Sequence, residues 1–266
     1  MTQTVTAKLH RLTTPAGVNV SYARYGSGPP LVLVHGGFSD HDSNWELIKP
    51  LIAEQFTVHA IARRGRGETD ATETHSLIDE AEDVAAVIRS VGEPVFLLGH
   101  AVGALIAAEA ARTAPALVRK LVLYEPPKPT LLSGTVFQQL SALAEQGDWE
   151  NYSWVFFKEG LGIPIEEMEE LRASEVWAAY VADARATAQD MRALREYELD
   201  PQRFQDLNIP TLFQVGSESP AELFLTDELA PVFPNARVET LAGQAHEGMT
   251  TAPEQYVAAI TKFLLG

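Results

Sequence analysis

From residue 18 to residue 125, short apolar runs alternate with segments of helical periodicity, and few folds accommodate that alternation. VNVSYAR (18–24) alternates with period two, as a half-exposed strand does. LVLVH (31–35) is a continuous apolar run ending in Gly36 and Gly37, the pattern of a strand covered on both faces. FTVHAIA (56–62), PVFLLG (94–99) and VRKLVLYE (118–125) repeat it. Between them, 43–54 reads as a helix kinked at Pro50, 77–91 as an amphipathic helix and 101–114 as a small-residue helix. Residues 126–208 break the rhythm. They open on Pro126, Pro127 and Pro129, contain no apolar strand, and read as helices, among them 165–182 and 184–197. The alternation resumes with a strand at 209–216, a helix at 220–230, a strand at 236–243 and a closing helix at 252–264. The expected fold is α/β, a mostly parallel sheet with helices on both faces. Its core would be 1–125 and 209–266, with 126–208 inserted as a helical cap.

Composition narrows the function. The 266 residues are 46% hydrophobic and 21% charged, an ordinary globular balance. Cysteine is absent, which excludes disulfides, zinc–thiolate sites, iron–sulfur clusters and a thiol nucleophile. With 36 acidic and 20 basic residues the net charge is −16, so nucleic acid and anionic membrane surfaces are poor partners. Fourteen acidic and five basic residues between 145 and 200 place −9 of that charge in the insertion. The opening MTQTVTAKLHRL lacks the apolar stretch of a signal peptide, and no run is long enough to span a membrane. A cytoplasmic location is expected; the oligomeric state is left open. No dinucleotide or phosphate-loop signature implies a cofactor, and GRGE at 65–68 is too short and wrongly placed for one.

In open parallel sheets, ligands sit at the carboxyl ends of the strands, so the residues there carry the candidate chemistry. Gly99-His100-Ala101-Val102-Gly103 lies between a strand and a helix, with the spacing of a nucleophile elbow. Its centre is Ala101, whose methyl group cannot attack a carbonyl. His35-Gly36-Gly37-Phe38 follows another strand, and its free N–H groups could hold an oxyanion. His246, after the last strand, stands where a general base belongs in the order nucleophile, acid, base. Glu125 and Glu218 each follow a strand, and either could orient that imidazole. Arg63, Arg64 and Arg66 could grip an anionic substrate, but pairing with the protein's own carboxylates is the commoner use. Trp45, Trp154 and Trp177 are candidates to line an apolar pocket, against the simpler reading of the cap tryptophans as cap packing. The adjacent His41-Asp42 pair cannot readily converge on one ion, so no metal site is assigned.

Taken together, HGGF, RRGRGET, GHAVG, the helical cap and GQAHEG resemble the α/β-hydrolase superfamily over essentially the whole chain. The likeness is greatest to small esterase- and lactonase-like members whose elbow reads GHSxG. The resemblance puts Ala101 in the serine position and His246 in the base position. It puts the Val102 N–H, with that of Gly37 or Phe38, in the oxyanion hole. Three departures stand out. The first is Ala101. The second is that the usual Asp position after the seventh core strand falls on Ser219, which shifts preference to Glu125 over Glu218. The third is Ala62, where relatives often carry Asp. Two functions follow. One is a Ser–His–acid hydrolase of an apolar ester or lactone, a small-molecule substrate, with its serine replaced by alanine so that it binds but hardly turns over. The other is a naturally non-hydrolytic protein, either a ligand-binding pseudoenzyme or a lyase or cofactor-free oxygenase using His246 as base. The retained base, acid and small residues at 99 and 103 favour the first.

Overall fold

The computed structural model describes residues 5–266, so the first four residues of the N-terminal stretch lie outside it. Eight strands form one sheet: β1 (Lys8–Thr13), β2 (Asn19–Gly26), β3 (Pro30–Val34), β4 (Thr57–Ile61), β5 (Val95–His100), β6 (Val118–Tyr124), β7 (Thr211–Gly216) and β8 (Ala236–Leu241). Their order is β1-β2-β4-β3-β5-β6-β7-β8. β2 pairs antiparallel with β1 and β4, and the other neighbours are parallel. β3 and β5 are buried along their whole length, as the unbroken apolar runs require. β1 was not anticipated. KLHRLT carries only two apolar residues, and its place is set by backbone pairing with β2.

The helices are α1 (Lys49–Ala53), α2 (Leu77–Val91), α3 (Val102–Thr113), α4 (Gly134–Gln146), α5 (Trp149–Val155), α6 (Ile165–Ala173), α7 (Val176–Glu196), α8 (Thr226–Leu229), α9 (Gly248–Thr251) and α10 (Pro253–Leu265). Four of them, α4–α7, fall between β6 and β7, where no strand pattern was found. The expected helix over 43–54 is shorter. Pro50 stands in the first turn of α1, where its missing N–H costs nothing, so it starts the helix instead of kinking it. The break expected near 183 lies at Ser174, which leaves α7 as one helix of 21 residues. α2 starts with a reciprocal cap, Ser76 accepting from the Asp79 N–H while Asp79 accepts from the Ser76 N–H, and stops at Gly92 with φ +82°.

Two apolar clusters form the core. One joins α2, α3 and α4–α7; the other packs α1, α10 and Trp45 and contains no residue of 126–208. α3 is buried from Val102 to Ala111, which only a helix of small side chains allows so close to the sheet. Gly103 makes the closest approach. A Cβ there would lie 2.4 Å from the carbonyl oxygens of both Val34 and His35. Helix propensity alone favours Gly→Ala by about 1 kcal/mol. Here the obstacles are backbone atoms of β3 that cannot move aside. Gly103→Ala is therefore expected to destabilise the fold, with overpacking costs of about 1–3 kcal/mol as the guide. A thermal melt checks the sign.

Candidate active site

The site is built where β3, β5, β6 and the β8–α9 loop end together. Among the described residues, three non-glycine residues have positive φ: Phe38 (50°), Ala101 (52°) and Glu125 (46°). Ala101 and Glu125 directly follow β5 and β6, and Phe38 ends the glycine turn that follows β3. Left-handed backbone at such residues costs about 1–3 kcal/mol each and persists where the surroundings demand it. At Ala101 the pair φ 52°, ψ −127° is the sharp strand-to-helix turn that the glycine spacing predicted. The Ala101 N–H donates to the Tyr124 carbonyl, and the Ala101 carbonyl accepts the first bond of α3. Opposite it, a Cβ on Gly36 would come within 3.1 Å of the Ala101 methyl, so the glycine turn lies directly against the elbow.

His246 meets a carboxylate. Its Nδ1 lies 2.6 Å from Glu125 Oε2, while Glu125 Oε1 accepts the Gly216 N–H at 2.7 Å. Glu125 is fully buried, and both its oxygens are committed. With Nδ1–H donating to Glu125, Nε2 carries the free lone pair. Glu218 does not take part. It is exposed and accepts from the neighbouring Ser217 hydroxyl, and among the described residues it shares no hydrogen bond with the imidazole.

Three residues not anticipated hold the histidine loop. Phe224 stacks on the imidazole at 5.2 Å, 17° from parallel. Tyr124 donates its hydroxyl to the Ala245 carbonyl and accepts the Gly248 N–H. His100 donates from Nε2 to the His246 carbonyl at 3.0 Å. Nothing local in the sequence marks Phe224, because its approach depends on the β6 and β7 ends lying side by side.

The glycine turn separates its two candidate donors. The Phe38 N–H donates to Thr187 Oγ1 on α7 at 2.8 Å. Among the described residues, the N–H groups of Gly37 and Val102 have no protein acceptor. His35 has a definite tautomer. Nδ1–H donates to the Gly36 carbonyl and Nε2 accepts the Arg63 N–H.

The three arginines are neutralised internally. Arg63 binds Glu80 and Asp190, Arg64 binds Asp83, and Arg66 binds Asp183 and Asp190. Asp183, Thr187 and Asp190 recur at i, i+4 and i+7 on α7, so one helix face meets the arginine loop. That spacing was visible in the sequence; its partner was not.

The tryptophans lie elsewhere. Trp45, a candidate to line the pocket, is fully buried in the second core cluster, edge-on to His100 at 6.4 Å. A large apolar ring below the sheet end is worth more sealed in the core than exposed to a ligand. Trp177 donates to Glu150 and meets Trp154 edge-on, and Trp154 lies under the Arg172 guanidinium, so both knit α5, α6 and α7 together. The aromatic wall at the glycine turn is instead Phe38 against Phe156, Phe157 and Tyr180.

Two clusters could be taken for metal sites. His100, His246 and Glu247 offer atoms within 4.8 Å of one another, but both ring nitrogens of His100 already lie at hydrogen-bond distance from protein oxygens, Asn44 Oδ1 and the His246 carbonyl. Around His75, Glu80 and Asp190 the Arg63 guanidinium already supplies the cation.

A model of the alpha/beta hydrolase family matches residues 31–259. The chain belongs to the alpha/beta hydrolase family. The 2-(acetamidomethylene)succinate hydrolase of Mesorhizobium japonicum is 28% identical to it over 264 residues, covering 93% of this chain and 92% of that one. The crystal structure of an alpha/beta hydrolase from Sphaerobacter thermophilus superposes with a TM-score of 0.82 at 30% identity, over 96% of this chain and 99% of that one. The enol-lactonase of Burkholderia xenovorans shares the alpha/beta hydrolase fold, with a TM-score of 0.80 at 17% identity over 97% and 100% of the two chains. Among the described residues of this family member, no helix is long and apolar enough to cross a membrane.

Burial sets an acid limit on this alpha/beta hydrolase. It holds the imidazoles of His35 and His100 well below 6.5, and His59 down to about 4. The nearby Arg66 and Arg63 charges add to the effect at His35. The unfolded chain therefore binds more protons as pH falls through about 6.5. Stability contributed by these groups is complete above that value and is lost progressively below it. Melting temperatures at pH 7.5 and 5.5 test this, and equal values would contradict it.

Proposed function

We propose that this chain is a Ser–His–Glu hydrolase scaffold for uncharged carboxylic esters or lactones, standing without its nucleophile. In this form it binds substrate and hardly turns it over. The observation that carries the reading is the pairing of a strained elbow at Ala101 with an imidazole already oriented by buried Glu125. A dyad with no acyl-transfer task has no need of an elbow opposite it.

With serine at 101, His246 Nε2 would take the hydroxyl proton as Oγ attacks the carbonyl carbon. The Gly37 and Val102 N–H groups would hold the tetrahedral oxyanion. The imidazolium, stabilised by Glu125, would return the proton to the leaving alcohol. Water, activated by the same nitrogen, would then release the acid and restore the serine. Without the hydroxyl the sequence stops at binding.

Uncharged substrates fit the wall of Phe38, Phe156, Phe157 and Tyr180. The Mesorhizobium relative is named for a succinate derivative, an anion. In this chain the arginines nearest the glycine turn are already paired, which favours a neutral ligand. The test is turnover of a panel of aryl esters and lactones by Ala101→Ser beside the unaltered chain. If neither cleaves any member, the hydrolase reading fails. Turnover by the unaltered chain that is lost in His246→Ala would assign His246 base chemistry without a nucleophile.

A further inference from the structure

The Gly36–Gly37 peptide is gripped from one side. Its carbonyl accepts from His35 Nδ1 at 2.8 Å and from Arg63 Nη1 at 3.2 Å. A trans peptide is planar, with C=O and N–H opposed, so holding the carbonyl toward Arg63 turns the Gly37 N–H away from it. The next amide is held separately. Thr187 Oγ1 accepts the Phe38 N–H at 2.8 Å and an Arg66 N–H at 3.1 Å, and donates to Asp183 Oδ2 at 2.7 Å, which uses its full bonding capacity. Arg63 in turn is clamped between Glu80 on α2 and Asp190 on α7, and all these groups are buried or nearly so. α7 also closes over the turn itself. A Cβ on Gly37 would lie 3.3 Å from Thr187 Oγ1 and 3.7 Å from Asp190 Oδ2.

The turn is thus fastened at both ends to groups that depend on one cap helix. We propose that Thr187, acting with Arg63, is a positioning residue: it locks the Gly36–Phe38 turn so that the Gly37 N–H is presented as an oxyanion donor, which makes seating of α7 a condition for catalysis. This rests on the hydrolase reading above. The chemistry is indirect, since Thr187 spends its hydroxyl on the protein and not on the ligand. It also accounts for the positive φ at Phe38, because a residue free to relax would leave that region.

Two measurements test it. In the unaltered chain, hydrogen exchange at the Phe38 amide should quicken at least tenfold in Thr187→Val and stay near the parent rate in Thr187→Ser, with Leu97 in β5 unchanged as the reference. In the Ala101→Ser background, Thr187→Val should lower kcat by about 10- to 100-fold, less than the roughly 10²–10³ lost on deleting an oxyanion donor outright, with KM within twofold. Thr187→Ser should recover most of that kcat. Thr187→Ala repeats both measurements if the valine variant folds poorly. Unchanged Phe38 exchange, a loss confined to KM, or equal losses in the valine and serine variants would overturn the proposal. If Ala101→Ser is inert, the hydrolase reading falls by itself, and the exchange experiment still decides whether Thr187 holds the turn.

Discussion

Ala101→Ser is expected to raise kcat by up to about 10⁶ over the unaltered chain, the loss seen when a serine hydrolase gives up its nucleophile. The size of the effect follows from what is already assembled. The elbow backbone is in its strained conformation, so serine would inherit a conformation for which alanine already bears the cost. Glu125 holds His246 Nδ1 at 2.6 Å, so the imidazole has the tautomer that accepts a proton at Nε2. Among the described residues, the Gly37 and Val102 N–H groups have no protein acceptor. Only the hydroxyl must be added. In the serine background, His246→Ala should return activity to the alanine level, because residues that act as one unit are not additive. Glu125→Gln should cost less than loss of the base but well over tenfold, since the amide favours the wrong tautomer and leaves the imidazolium without its counter-charge. Glu218→Gln should change little, because that carboxylate is exposed and bonded to Ser217. Steady-state kinetics on one aryl ester would rank all four.

The second large effect is on stability. Arg63→Met is expected to destabilise the fold by about 3–5 kcal/mol, the cost of removing one partner from a buried ion pair. Glu80 and Asp190 would be left in the interior, 3% and 0% exposed, without the guanidinium that both of them bind. At roughly 2–4 °C per kcal/mol for a domain approaching this size, the melting temperature should fall by about 6–20 °C. The exposed Arg89–Glu82 pair, at 3.8 Å, is the control. Arg89→Met should alter stability by at most about 0.5 kcal/mol, since solvent screens such pairs. A melting temperature in Arg63→Met as unmoved as in Arg89→Met would show that the buried cluster contributes no net stability.

Much of this molecule is legible in its residues, for a local reason. Continuous apolar runs such as LVLV and VFLL can satisfy their backbones and side chains only inside a covered sheet, and the helices that cover it announce themselves by period. The elbow is equally local. Gly99 and Gly103 leave no room for a Cβ, and the tight turn they permit brings residue 101 to its apex whatever side chain it carries. What remained ambiguous depended on groups distant in the chain. Glu125 and Glu218 both follow neighbouring strands, and spacing cannot choose between them. The choice is visible only in the assembled fold, where the buried Glu125 carboxylate lies 2.6 Å from His246 Nδ1, 121 residues away, and Glu218 is exposed. Gly37 and Phe38 differ because Thr187, 149 residues beyond Phe38, occupies one N–H and not the other. Trp45 could be placed at the start of a helical stretch by pattern but not on a side of the sheet, and burial took it into the core. Periodicity and sterics act within a few residues and so are written in the sequence. Which side chains meet across the sheet ends is set by how α7 and the strand termini pack, and only the assembled structure carries that information.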